Sequence, residues 1–288
     1  MLTATALAVL ATALVLGYLL LPLQRRFVVP PPQQSAILVT GVSSGLGSAF
    51  ARDLAALGFL VFGTVRKQAD ADALQSEGII RPVLLDVGNA EQFPAALAHV
   101  KAVLDREGRS LCGLVNNAGI TGMENTRATP EKLVGPEHYE RVMSTNVLGV
   151  VRATEAFLPL LKECRGGGAR VVNIGSYFGD LAPGKHYLAQ YVASKFAVEG
   201  LSDVWRRAMR PSGIAVSLVK PGDFSTKMNP LPSASSDLSP VVGCVRDAVT
   251  SPQPLARYYA GKVQGVPVAV LCRLLNAIPD VFADMIVQ

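Results

Sequence analysis

Charge is scarce in this chain. Only 17% of its 288 residues are Asp, Glu, Lys or Arg, against 50% hydrophobic, and 27 basic and 22 acidic side chains leave a net charge of +5. The basic residues are scattered, without the dense cluster a nucleic-acid surface needs, so no nucleic-acid partner is expected. Histidine is nearly absent, with three dispersed residues, and the four cysteines, Cys112, Cys164, Cys244 and Cys272, form no metal-ligand spacing. No metal site is implied, and four separate thiols fit a reducing compartment. Internal repeats and long disordered tracts are also missing, and the length suits one large α/β domain with a substantial core.

The shortage of charge is complete from Met1 to Gln24. The apolar run Leu2–Leu23, about 22 residues at ~1.5 Å rise, is long enough for the ~30 Å hydrocarbon core of a bilayer. A cleaved secretory signal would carry a basic stretch ahead of that run. None is present, although Ala11-Thr12-Ala13 has a small-x-small form. Arg25 and Arg26 follow at once, so the positive-inside rule puts the folded domain in the cytoplasm, on a single-pass anchor in a membrane such as the endoplasmic reticulum. The expected organisation is a membrane anchor over 1–24, a short stiff linker over 25–35 through Pro30-Pro31-Pro32, and a folded domain over 36–288.

From Ala36 onward, short apolar runs alternate with helical stretches. Strands are expected at Ala36–Thr40, Leu60–Thr64, Val83–Asp86, Leu111–Asn116, Arg170–Ile174 and Ile214–Lys220, with helices at Leu46–Leu57, Ala69–Glu77, Ala90–Glu107, Pro136–Lys162 and Leu188–Met209. Near-continuous apolar strands separated by helices predict a doubly wound, Rossmann-like parallel sheet covered on both faces, with ligands beyond the strands' carboxyl ends. Pro221–Pro240, rich in Pro and Ser, reads as a mobile loop, and after Pro254 the chain turns apolar again.

Two stretches carry chemistry. Tyr191 and Lys195 stand four apart in a proline-free helical segment, so they share one face. A phenol titrates near pH ~10; an adjacent ammonium favours the phenolate and makes a proton-transfer group. Ser176, at a strand's carboxyl end, can offer a hydroxyl to the same substrate oxygen. The second stretch is Thr40-Gly41-Val42-Ser43-Ser44-Gly45-Leu46-Gly47, a glycine turn between a strand and a helix that lets a pyrophosphate approach the helix amino terminus. No acidic residue closes the second strand to bind a ribose 2′-hydroxyl. Val65 stands there, followed by Arg66 and Lys67, which suit a 2′-phosphate and favour NADP over NAD.

The spacing of that glycine turn, together with Tyr191-x-x-x-Lys195, resembles the short-chain dehydrogenase/reductase family. Asp86-Val87, Asn116-Asn117-Ala118-Gly119, Asn146, Ser176 and Pro221-Gly222 with Thr226 fall in the order that resemblance demands, over about Ser35 to Thr226. The resemblance implies Tyr191 as acid/base, and Lys195 as the group that lowers its pKa and holds the nicotinamide ribose. It implies Ser176 as the group positioning the substrate oxygen and Asn146 as support for a proton-relaying water. Gly41, Ser43, Gly45, Leu46 and Gly47 would surround the pyrophosphate and Asp86 and Val87 the adenine. Asn117, Ala118 and Gly119 would lie beside the cofactor, and Pro221, Gly222 and Thr226 near the carboxamide. Lys195 and an oxidised nicotinamide would have to move the phenol about three units, ~4 kcal/mol, within reach of two cations in a dry cleft.

Arg257-Tyr258-Tyr259-Ala260-Gly261 and Pro279-Asp280 resemble the branch containing retinol, hydroxysteroid and 3-hydroxybutyrate dehydrogenases. Two departures stand out. The loop from Ser176 to Tyr191 is slightly long, though Tyr187 has no lysine four residues on, and Lys227–Pro240 is shorter than that branch's substrate lid. The expected activity is NADP(H)-dependent interconversion of an alcohol and a carbonyl on a lipophilic substrate, by a membrane-bound chain able to self-associate. A catalytically silent dinucleotide sensor or scaffold is the alternative, and it leaves Ser176, Tyr191, Lys195 and Asn146 without a purpose. A merely structural membrane protein leaves the glycine turn unexplained.

Overall fold

The computed structural model describes residues 12, 26–122, 135–165, 168–183, 185–226, 228 and 234–275. The anchor expected at Leu2–Leu23 lies outside the described residues, apart from Thr12. No helix among the described residues is long and apolar enough to cross a membrane.

Seven strands form one parallel sheet: β1 (Ser35–Val39), β2 (Leu60–Val65), β3 (Arg81–Leu84), β4 (Ser110–Asn116), β5 (Arg170–Ile174), β6 (Ala215–Pro221) and β7 (Arg257–Ala260), in the order β3-β2-β1-β4-β5-β6-β7. Six had been legible as apolar runs; β7, Arg-Tyr-Tyr-Ala, pairs with β6 at the far edge. Alternate residues of β1 divide between two cores. Ala36 and Leu38 join Phe62, Leu114 and Phe157 on one face, and Ile37 and Val39 join Phe50, Val115 and Val245 on the other. This two-residue period is what a strand covered on both faces requires.

The helices α1 (Gly45–Ala56), α2 (Gln68–Glu77), α3 (Phe93–Glu107), α4 (Pro136–Met143), α5 (Gly149–Lys162), α6 (Ala189–Ala208) and α7 (Ser239–Thr250) supply those faces. The stretch expected as one helix over Pro136–Lys162 is broken by a π turn at Ser144–Leu148. The expected loop Pro221–Pro240 gives way to α7 at Ser239, and Ser235 returns to β6's exit through backbone bonds with Asp223 and Ser225. A hairpin, β8 (Lys262–Val263) with β9 (Val266–Pro267), leads into α8 (Val268–Leu275).

Two features differ from the sequence reading. The described part of the linker is packed down: Phe27 donates its N–H to Pro252, and the buried Arg170 donates to the carbonyls of Val28, Gly168, Ala169 and Ser251. Arg109 reaches Pro32 and Gly58 in the same way. A buried guanidinium must find acceptors, and the linker supplies one of the four, the Val28 carbonyl. Burial lowers the Arg170 pKa to about 10. The expectation of four separate thiols is corrected as well. Cys112 in β4 and Cys164 beyond α5 form a disulfide, while Cys244 and Cys272 are free. Residues 52 apart in sequence are brought together only because α5 packs back across β4.

Candidate active site

The strand order turns back between β1 and β4, and the loops leaving their carboxyl ends diverge there to open a crevice. The turn after β1 is locked to the turn after β4. Thr40 Oγ1 accepts from the N–H groups of Asn117 (2.9 Å) and Ala118 (3.0 Å), and Asn117 Nδ2 donates to the carbonyls of Thr40 and Gly41. Gly41 has φ +72, and a Cβ there would lie 2.9 Å from Ala118 Cα; at Gly47 it would lie 2.1 Å from the Gly41 carbonyl oxygen. Only glycine fits either place. Ser43 is exposed at the tip of the turn, Leu46 packs on the core behind it, and Thr226, beyond Pro221-Gly222, stands against Gly45.

Beside this turn lies a cleft of about 470 Å³, lined by Arg66 from the end of β2, Asp86 and Gly88 after β3, Ile120 after β4, and Arg141 with Thr145. Asp86 Oδ1 accepts from the Gly88 N–H (2.9 Å), which fixes the loop. Lys67 is exposed next to Arg66 and is outside the cleft lining, and Val87 is buried against Gly149. Sequence reading did not single out Arg141, or Arg152, which donates to the carbonyls of Val87, Gly88 and Ser144. Nothing in the spacing of a helical arginine announces that use.

The reactive end is built from β5, α6 and the π turn. Ser176 follows β5, its Oγ accepting from the Phe178 N–H (3.2 Å). Tyr191 and Lys195 share a face of α6, the ammonium 5.4 Å from the phenol ring centre and donating to Ile174 O (3.0 Å). Burial lowers the Lys195 pKa to about 8. Asn146 faces inward from the π turn and is buried. Its Oδ1 accepts from Ile120 N, and its Nδ2 donates to Ile120 O and to Ser194 Oγ. Ser194 in turn donates to Tyr191 O (2.6 Å). The π turn thereby ties the β4 exit to the helix that carries the phenol, a link through Ser194 that sequence reading missed.

Two further clusters flank these groups. Lys220, fully buried at the end of β6, lies 2.6 Å from Asp180 and 2.6 Å from Glu199, and Glu199 also pairs with Arg257 of β7. Burial alone would lower the Lys220 pKa, yet the two carboxylates raise it overall. Tyr177, next to Ser176, stacks on Phe178 at 4.2 Å, and Phe178 meets Tyr191 edge-on at 6.1 Å. The Tyr177 hydroxyl donates to Asp223 Oδ1 (3.2 Å) in the loop after β6. Tyr177, Val268 and Cys272 form a small apolar cluster with Phe178, Leu181 and Tyr259 packed against it.

The arrangement thus offers a glycine cradle at a helix amino terminus, a cleft lined by Arg66 and Asp86, and a phenol, an ammonium and a hydroxyl from Tyr191, Lys195 and Ser176. The family described as short chain dehydrogenase matches residues 35–235. The Bos taurus D-beta-hydroxybutyrate dehydrogenase, mitochondrial, is 33% identical over 278 residues, 80% of this chain and 78% of that protein. The Bos taurus 17-beta-hydroxysteroid dehydrogenase type 6 is 32% identical over 292 residues, 88% of each. Among solved structures, a short-chain dehydrogenase from Streptomyces avermitilis is similar with a TM-score of 0.69 and 27% identity, covering 88% of this chain and 95% of that one.

Proposed function

We propose that this chain, which belongs to the short-chain dehydrogenase family, is an NADP(H)-dependent oxidoreductase that interconverts an alcohol and a carbonyl on a lipophilic molecule at a membrane. Membership makes it an oxidoreductase of CH–OH groups on small molecules with a nicotinamide dinucleotide as cofactor. The 2′-phosphate, the lipophilic substrate and the membrane are the finer reading. The observation that carries the cofactor choice is Arg66 lining the cleft where Val65 ends β2 without a carboxylate. A guanidinium fork suits phosphate oxygens. The glycine cradle at Gly41 and Gly47, which any Cβ would fill, fits a pyrophosphate.

When bound, the nicotinamide supplies or accepts the hydride. Tyr191 gives the proton to the carbonyl oxygen in reduction and takes it back in oxidation. Ser176 Oγ holds that oxygen in place. Lys195 spends one of its three N–H donors on Ile174 and keeps two for the ribose and the phenol. With a pKa of about 8 it is mostly charged at neutral pH, as its influence on the phenol requires. The Asn146 side chain is committed to Ile120 and Ser194, so its support of a relay water falls to the main chain of the π turn. The reading of a lipophilic substrate is supported by the aromatic pair Tyr177 and Phe178 next to Ser176 and by the apolar run Leu2–Leu23, which would keep the chain where such molecules dissolve.

The deciding experiment follows NADPH and NADH oxidation by the purified chain across a ketosteroid, retinaldehyde and a short keto acid. Turnover with NADPH and a lipophilic carbonyl is expected. Preference for NADH, or activity confined to the short keto acid, refutes the reading.

A further inference from the structure

Asp223 has no place in the chemistry above, yet it sits against the reactive end. It follows Pro221-Gly222 directly, and its backbone is held on both sides, its N–H to Lys262 O and its C=O by Ser235 N–H. One carboxylate oxygen accepts from the Tyr177 hydroxyl. Through Tyr177 and Phe178 it belongs to a continuous series of side chains, Asp223–Tyr177–Phe178–Tyr191, that ends at the proton-transfer phenol. Among the described residues no cation forms an ion pair with this carboxylate. Lys220, three residues back, is fully buried and engaged by Asp180 and Glu199. Burial raises the Asp223 pKa, opposed by the single neutral hydrogen bond from Tyr177. Ionisation of Tyr177 is disfavoured by burial, by Asp223 and also by Tyr191, which places all three in one electrostatic neighbourhood.

A half-buried anion that no described cation pairs with acts on whatever shares its space. It repels a second carboxylate at a distance where a neutral group feels almost nothing, because the low-dielectric walls screen it poorly. We propose that Asp223 is a specificity-determining residue that bars carboxylate-bearing substrates and reserves the site for uncharged alcohols and carbonyls. The inference rests on the dehydrogenase reading and deepens it. Relatives of this chain include both a hydroxybutyrate and a hydroxysteroid dehydrogenase by name, one substrate a carboxylate and the other neutral.

The test uses 3-hydroxyoctanoate and its methyl ester, which differ in charge and by one methyl group. Their equilibrium affinities are measured by titration calorimetry on the full-length protein saturated with cofactor, and turnover is followed separately. The wild type should favour the ester by roughly tenfold, about 1.4 kcal/mol. Asp223→Asn retains an oxygen that accepts from Tyr177 but loses the charge, and should bring the affinity ratio to within about threefold of unity. Tyr177→Phe removes the hydrogen bond and keeps the charge, so it should preserve the wild-type ratio. An unchanged ratio in Asp223→Asn, a wild type that favours the acid, or binding of neither compound overturns the proposal. Discrimination in binding without any turnover would sink the dehydrogenase reading and leave the charge selection standing; turnover of both compounds without discrimination does the reverse.

Discussion

Removing the Lys195 ammonium should make the cofactor-free protein more stable while it destroys activity. The side chain is buried, and its pKa falls from 10.5 to about 8 because burial penalises the charged form. At 1.36 kcal/mol per unit, a shift of that size costs the folded state about 3 kcal/mol wherever Lys195 is charged in both states. The cost is fully present below pH 8 and is relieved as pH rises from 8 to 10.5, because over that window the unfolded chain holds the proton and the folded one does not. Lys195→Met occupies the same buried path but forfeits the charge-assisted bond to Ile174 O, about 1.5–3 kcal/mol. The variant should therefore be up to about 1.5 kcal/mol more stable at pH 7, a few degrees in Tm, and should lose that advantage towards pH 10.5. Urea unfolding of both proteins without cofactor, at four pH values from 7 to 10.5, measures the difference directly. A variant less stable than wild type throughout, with parallel pH curves, would show that burial does not strain this ammonium and refute the reasoning.

Tyr191→Phe should lower turnover by roughly 10²–10⁴-fold with cofactor affinity nearly intact, measured as single-turnover rate against fluorescence titration of the cofactor; unchanged turnover in a folded variant would remove Tyr191 from its role. Arg66→Ala should weaken NADPH binding about ten- to a hundredfold and spare NADH, a contrast that shrinks in high salt because Arg66 is exposed; a wild-type kcat/KM that already favours NADH sinks the idea. In sealed microsomes, protease added outside should digest the domain, as the Arg25-Arg26 flank requires. Protection until detergent is added, with Cys112–Cys164 still joined on non-reducing gels, would place the domain on the oxidising side instead.

Much of this fold could be read from the chain because its signals are local. Val, Ile and Leu runs declared six strands, and Gly41, Gly45 and Gly47 sit where a strand must turn into a helix. Of the expected site residues, Lys195 lies against the Tyr191 ring, and Asn146 reaches the same helix through Ser194. What stayed hidden depends on distant partners. The break at Ser144–Leu148 accompanies Asn146 turning in to grip Ile120; Ser, Thr, Asn and Val are weak helix formers, but that weakness alone does not locate a π turn. Strand β7 is too short and too mixed to announce itself without β6 beside it. The disulfide, the docked linker under Arg170 and the Tyr177–Asp223 pair each join residues dozens of positions apart, where periodicity carries no information.

The buried Lys220 bears on how such a sequence can change over generations. Three chain segments meet at its ammonium: the turn after Ser176, the helix below Lys195 and the strand before Pro221. Losing that one charge strands Asp180 and leaves Glu199 to Arg257 alone, and breaking a buried pair costs about 3–5 kcal/mol where a whole domain holds about 5–15. Substituting either carboxylate alone removes one of the two partners that offset the burial of the lysine. The three positions therefore resist single-step drift, and a descendant that altered one would survive mainly by altering another with it. Paired replacement at 180, 199 and 220 is the trace this arrangement should leave in the chain's lineage.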